Sequence, residues 1–173
     1  MQIRRRTAAA LFGIAAVAGL TAFVGLPRST EFTYYSFRNQ QYTNQCMDVY
    51  QGSLADGNHI DGYVCQNSVN QKFERQSDGH VKVQNGQTGP RGYQMCMDYY
   101  PTNGSVGSPV KIWPCRPLTG PGDSQHWYYL ASGQWLGGSG NCIALNSGTN
   151  GTQLVMAACN PNSPPANQRW TAQ

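Results

Sequence analysis

Past an apolar stretch near its start, the chain alternates apolar and polar positions only in short runs. Phe32–Arg38 (FTYYSFR), His80–Val83 (HVKV), Val110–Trp113 (VKIW) and Trp127–Leu130 (WYYL) are rich in aromatic and β-branched residues, which suit a pleated, half-buried surface. No later stretch repeats its apolar residues at the helical period. Gly, Asn, Asp, Ser and Pro gather between the runs, at 56–58, 77–79, 85–92, 103–109, 117–124, 137–141 and 146–151, and these are turn residues. Strands of about five residues at such close spacing predict hairpins, and therefore an all-β sandwich or closed barrel.

One stretch, Cys46 to Phe73, recurs twice. Its second copy runs from Cys96 (CMDYYPTNGSVGSPVKIWPC) to Trp127, and its third from Cys142 (CIALNSGTNGTQLVMAAC) to Trp170. Each copy has a Cys, a turn-rich middle, a short run ending in a second Cys, and a Gln-x-aromatic triplet. The triplets are Gln71-Lys72-Phe73, Gln125-His126-Trp127 and Gln168-Arg169-Trp170. Repetition at this length marks a structure built from equivalent units sharing one interior.

These triplets, with the Cys-Met-Asp openings at Cys46 and Cys96 and the Ile-Trp-Pro-Cys run ending at Cys115, resemble the ricin-B-type lectin domains with QxW repeats. The resemblance extends from about Phe32 to the C-terminus, and Phe73 departs from it where the pattern has Trp. It implies an all-β β-trefoil of three pseudo-symmetric repeats, at about 32–73, 74–127 and 128–173, within a domain spanning 27–173.

Residues 1–26 carry Arg4, Arg5 and Arg6 ahead of an apolar run rich in Ala and Gly, the plan of a secretory signal. Cleavage after Ala18 or Ala22 is expected. The run is also about as long as a membrane span, so an uncleaved anchor is the alternative; a twin-arginine route is a lesser one. Of 12 Lys and Arg, three belong to this leader, and the remaining nine face eight acidic residues. The formal charge of +4 therefore belongs largely to the leader. Without clustered cations and interleaved aromatics no nucleic-acid surface is expected, nor membrane insertion once the leader is removed. About 145 residues remain, enough for one domain with a core.

Six cysteines after an export signal suggest disulfides. Fifteen pairings are formally open; the repeat makes Cys46–Cys65, Cys96–Cys115 and Cys142–Cys159 the economical set. No CxxC and no Cys/His cluster with ligand spacing is present, so neither a metal nor a cofactor is expected.

A sugar offers vicinal hydroxyls and one apolar ring face. Its receptor needs a carboxylate, an amide and an aromatic plate. The first repeat holds Asp48, Tyr63 and Asn70 in an order that resembles the galactose-type site of ricin-like lectins. That likeness implies Asp48 taking two hydroxyls, Tyr63 stacking, and Asn70 and Gln71 alongside, with Asp61 where the family commonly has Gln. Gln71, Gln125 and Gln168 also read as core, by their fixed phase in the repeat. A second carbohydrate site would use Asp98, Lys111, Trp113 and Ser124, although Asp98 could equally order a turn through Asx bonding. In the third repeat Ala144 and Ala157 replace the acid and the aromatic, which leaves a structural role. His59, His80 and His126 stand isolated and read as surface or structural residues.

The expectation is an exported, non-enzymatic lectin for galactose-like terminal sugars on glycans or glycoconjugates. The alternative is a targeting or scaffold subunit docking a separately encoded partner through 94–121. A glycosidase using Asp48 and Asp61 as its carboxylate pair comes third, since no GxSxG, HExxH or nucleotide loop occurs.

Overall fold

The computed structural model describes residues 33–84 and 92–173. The leader, the start of the Phe32–Arg38 run and the 85–91 part of one turn cluster lie outside the described residues. Among the described residues thirteen strands follow in chain order: β1 Phe37–Asn39, β2 Gln45–Val49, β3 Ile60–Val64, β4 Phe73–Arg75, β5 Val81–Val83, β6 Met95–Asp98, β7 Lys111–Pro114, β8 Trp127–Tyr129, β9 Trp135–Gly137, β10 Asn141–Ala144, β11 Thr152–Gln153, β12 Val155–Ala158 and β13 Trp170–Ala172. Strands β11 and β12 flank Leu154 and act as one broken strand, so each repeat contributes four strands.

The register repeats with the sequence. Arg38 faces Cys46, Lys82 faces Cys96 and Leu136 faces Cys142. The last strand of each repeat pairs with the first of the next, β4 with β5 and β8 with β9, and β13 closes onto β1. Inside each repeat a hairpin projects from this ring: β2–β3, β6–β7 and β10–β12. At the pseudo-triad the hairpins join through a triangle of backbone bonds. Ile60 N donates to Val110 O (3.0 Å), Val110 N to Leu154 O (2.9 Å), and Leu154 N back to Ile60 O (2.9 Å). The chain is thus an all-β β-trefoil with three lobes.

Period-two alternation explains which residues fill the interior. Met47, Val49, Ile60, Met95, Met97, Ile112, Ile143 and Met156 point into one core with Phe37, Phe73, Trp127, Trp135 and Trp170. Each triplet glutamine donates its amide to the end of its own lobe's third strand: Gln71 to Val64 O (2.9 Å), Gln125 to Pro114 O (2.9 Å) and Gln168 to Ala158 O (3.0 Å). The aromatic two residues later enters the core. Trp127 and Trp170 also donate their indole N–H to Met97 O and Ile143 O, at 2.9 and 3.4 Å; Phe73 has no donor to offer.

The disulfides Cys46–Cys65, Cys96–Cys115 and Cys142–Cys159 are formed, each within its lobe. Each closes a short loop, and in the loop-entropy account contributes about 3 kcal/mol. Among the described residues no helix is long and apolar enough to cross a membrane, and no group of three or more His, Cys, Asp or Glu could hold a metal ion.

Candidate functional site

Alternation on the lobe-one hairpin sends Met47, Val49 and Ile60 inward, which leaves Cys46, Asp48, Asp61 and Tyr63 on the outer face. Asp48 pairs directly with Asp61, and Cys46 with Tyr63. Gly62, between Asp61 and Tyr63, carries no side chain because a Cβ there would lie 2.7 Å from Leu145 Cδ1. The turn Val69–Gln71 brings Asn70 over the hairpin, where its Nδ2 donates to Asp48 Oδ1 at 2.7 Å. Asp48, Asp61, Tyr63 and Asn70 share one cup of about 510 Å³ with Tyr50, Gln51, Gln66, Asn150 and Gly151.

The floor of the cup is acidic and buried. Asp48 and Asp61 are 4% and 1% exposed, whereas Tyr63 keeps 37% of its surface open. Burial pushes the Asp48 carboxyl up, against amide bonds from Gln71 and Asn70 that favour its charged form. Burial, with the neighbouring charge of Asp48, pushes Asp61 up further, to about 7. Asp61 Oδ1 is buried without a hydrogen-bond partner.

Gln71 needs correcting as a direct sugar contact. It is fully buried, its Nε2 bonds Val64 O, and its Oε1 accepts from Gln66 N at 2.8 Å. Both ends of the amide bind the protein, so Gln71 holds Asp48 and the loop in place from below.

Sequence reasoning overlooked five lining residues. Tyr50 and Gln51 sit on the turn after β2, where Gln51 adopts φ 53, a left-handed conformation unusual for a residue with a side chain. Tyr50 stacks on His59 at 4.3 Å between ring centroids, and burial together with Lys111 lowers the His59 pKa, which suits a neutral ring partner. Gln66 follows the second Cys. Asn150 and Gly151 come from the third lobe: Asn150 Oδ1 accepts from Gln45 Nε2 and Val64 N, both at 3.0 Å, and Gly151 N donates to Gly62 O at 3.0 Å. A two-sided Asn before a Gly in the third repeat's turn was the available signal.

Lobe two is built differently. Asp98 and Trp113 share a cavity of about 550 Å³ with Asp56, Tyr93, Tyr100, Pro114, Cys115, Arg116 and Gln125. Lys111 and Ser124 do not line it. Lys111 pairs with Asp98 in register and forms a backbone β-bridge with His59, and Ser124 Oγ accepts from Arg116 Nη2 at 2.8 Å. Both Asp98 oxygens serve the protein: Oδ1 accepts from Tyr100 N (2.7 Å), an Asx bond, and Oδ2 from Gln125 Nε2 (2.9 Å). Arg116 also meets Asp123 at 2.6 Å; although burial opposes it, this bond with those from Gln125 and Thr119 holds Asp123 well below the usual carboxylate range. What lobe two exposes is aromatic, with Tyr93 at 59% and Tyr100 at 52%.

In lobe three the matching pairs are Ala144 with Val155 and Cys142 with Ala157. Asn167 remains, but bonds Asn146 Oδ1 at 3.4 Å. No acid or ring stands opposite it.

Three lobes about a pseudo-triad, with a polar cup edged by an aromatic ring, define the β-trefoil lectin class. The ricin-type beta-trefoil lectin domain matches residues 33–171, and the chain belongs to that family. ThreeFoil, a designed three-fold symmetric protein, shares the fold with a TM-score of 0.64 at 20% identity, covering 80% of this chain and 96% of that one. A non-toxic homologue of type II RIPs from Momordica charantia (bitter gourd), solved in complex with α-methyl-D-galactoside, gives 0.62 at 23% identity over 81% of this chain and 47% of that one. The present chain spans about half of that relative's length. The C-half of an earthworm R-type lectin, solved with GalNAc, gives 0.61 at 12% identity over 81% and 97%. No curated protein sequence matches the chain.

Proposed function

We propose that the chain is an exported carbohydrate-binding module that takes a galactose-like terminal sugar in the lobe-one cup. The convergence of Asp48, Asp61, Asn70 and Tyr63 on one cup carries the reading. The buried carboxylates accept from ring hydroxyls, the Asn70 amide orients Asp48 and reaches the same hydroxyls, and the open face of Tyr63 stacks on the sugar's C–H side. The bitter-gourd and earthworm relatives, solved with a galactoside and with GalNAc, support the sugar class. Three disulfides suit an oxidising destination.

The geometry favours binding over hydrolysis. Asp48 and Asp61 face each other across one strand pair on the floor of the cup, whereas glycosidases place their two carboxyls on either side of the scissile bond. Lobe two is a weaker site, because its carboxylate is committed to Tyr100 and Gln125. Its exposed tyrosines are also the surface a separately encoded protein partner would use.

A glycan panel on the mature domain tests the assignment. Asp48→Ala is expected to lose binding roughly 100-fold or more, as removal of a hydroxyl-reading group does, and Asp98→Ala to lose only a few-fold. Undiminished binding in the double variant would eliminate this site.

A further inference from the structure

We infer that the lobe-one cup prefers an amino sugar with a free ammonium over the same sugar in N-acetylated form. This rests on the carbohydrate reading and narrows its ligand class. Asp48 and Asp61 are cross-strand partners, both almost wholly buried and both lining the cup. Like charges directly opposite on a strand pair oppose each other, and a cation or a proton between them removes the repulsion.

Among the described residues the cup supplies no such cation. Around the pair stand Tyr50 from the turn after β2, Tyr63 from β3, Gln66 and Asn70 from the segment after β3, and Asn150 and Gly151 from lobe three. None of these carries a positive charge at neutral pH. His59, stacked on Tyr50, and Lys111, its backbone bridge partner, are not among the residues lining the cup. The ion pairs of the described residues join Arg116 to Asp123 and His80 to Asp78, in lobe two.

A ligand ammonium fits what is left open. It carries three donors, while Asp48 receives only neutral amides, from Asn70 and Gln71, and the Asp61 carboxyl, whose buried Oδ1 has no partner, lies directly across the strand pair. The Asp61 carboxyl, raised to about 7 by burial and by Asp48, stands where a nearby cation would convert it to the charged form. A hydroxyl or acetamide at the same point donates without a charge, and its bond to a carboxylate lacks the ion-pair attraction that an ammonium adds.

Calorimetric titration of the chain with galactosamine and glucosamine, each beside its N-acetyl counterpart at about pH 7.5, tests this. For at least one pair the free amine is expected to bind roughly tenfold tighter, and the ratio to shrink as ionic strength rises. Asp61→Asn should bring the ratio towards one; its melting curve reports whether it folds, and the salt series on the unaltered chain stands independently of it. Equal affinities within both pairs would overturn the inference and leave the lectin reading intact. An amine preference that neither salt nor Asp61→Asn changes would overturn the role of the carboxylate pair. Failure of all four sugars to bind would sink both readings.

Discussion

Asp61 is the residue at which folding and the proposed binding pull in different directions. Its carboxyl titrates near 7 in the folded chain against an ordinary 3.8. The folded state therefore holds this proton more tightly than the unfolded one, and a stability contribution present below about pH 4 is lost as pH rises through about 7. Asp61→Asn, which cannot ionise, is expected to gain stability over the native chain by about 2 kcal/mol at pH 8 and much less at pH 4. Denaturant unfolding at the two pH values checks this, and a gain independent of pH would contradict it. Asp48, Tyr63 and Asn70 were legible in the sequence because each sits at a fixed step from a cysteine or from the QxW glutamine. Gln71 stood in the same motif with the opposite orientation, since alternation along the chain cannot tell a side chain that supports a pocket from one that lines it. Lys111 and Ser124 keep the repeat's phase too, but neither lines the lobe-two cavity, and Ser124 is held by Arg116, a bond the repeat does not encode.

Among the elements, the hairpins and the QxW segments do separate work. The hairpins carry the acid and the ring on their outer face. The glutamine and its aromatic fasten each following turn to the core, and through that turn fix Asn70 in lobe one. Lobe one achieves this with Phe73, fully buried but without an indole N–H. Lobe two relies on Trp127, whose N–H reaches Met97 O at 2.9 Å and whose ring meets Tyr99 edge-on at 5.6 Å. Trp127→Phe should cost about 2 kcal/mol, from a smaller ring and a weakened carbonyl partner, measurable as a lower denaturant midpoint. An unchanged midpoint would mean that the indole bond contributes nothing. The alternating runs located the strands within a few residues: the expected 110–113 and 127–130 appear as Lys111–Pro114 and Trp127–Tyr129. The Phe32–Arg38 run condensed to an isolated bridge at Tyr35 and a strand from Phe37, because its partners, β4 and β13, belong to different lobes.

At the scale of the molecule, symmetry supplies the scaffold and its breaking supplies the proposed site. The Ile60–Val110–Leu154 triangle treats the three hairpins alike, and a three-fold repeat in the sequence was enough to expect it once the family resemblance was admitted. The repeat could not show that the cup of lobe one is completed by lobe three. Gly151 hangs from Gly62 and Asn150 clasps Gln45 and Val64, so the lobe without acid or ring still forms one wall. Copies compared only with one another hide contacts between them. The central claim, a principal sugar cup on lobe one with a wall from lobe three, is tested most directly by amide NMR shifts during titration with α-methyl-D-galactoside. The shifts are expected to gather at Asp48, Asp61, Tyr63, Asn70 and Asn150, with weaker changes at Asp98 and Trp113 and none at Ala144 or Ala157. Saturable shifts centred on lobe two or lobe three, with the Asp48 and Asn70 amides unmoved, would contradict it.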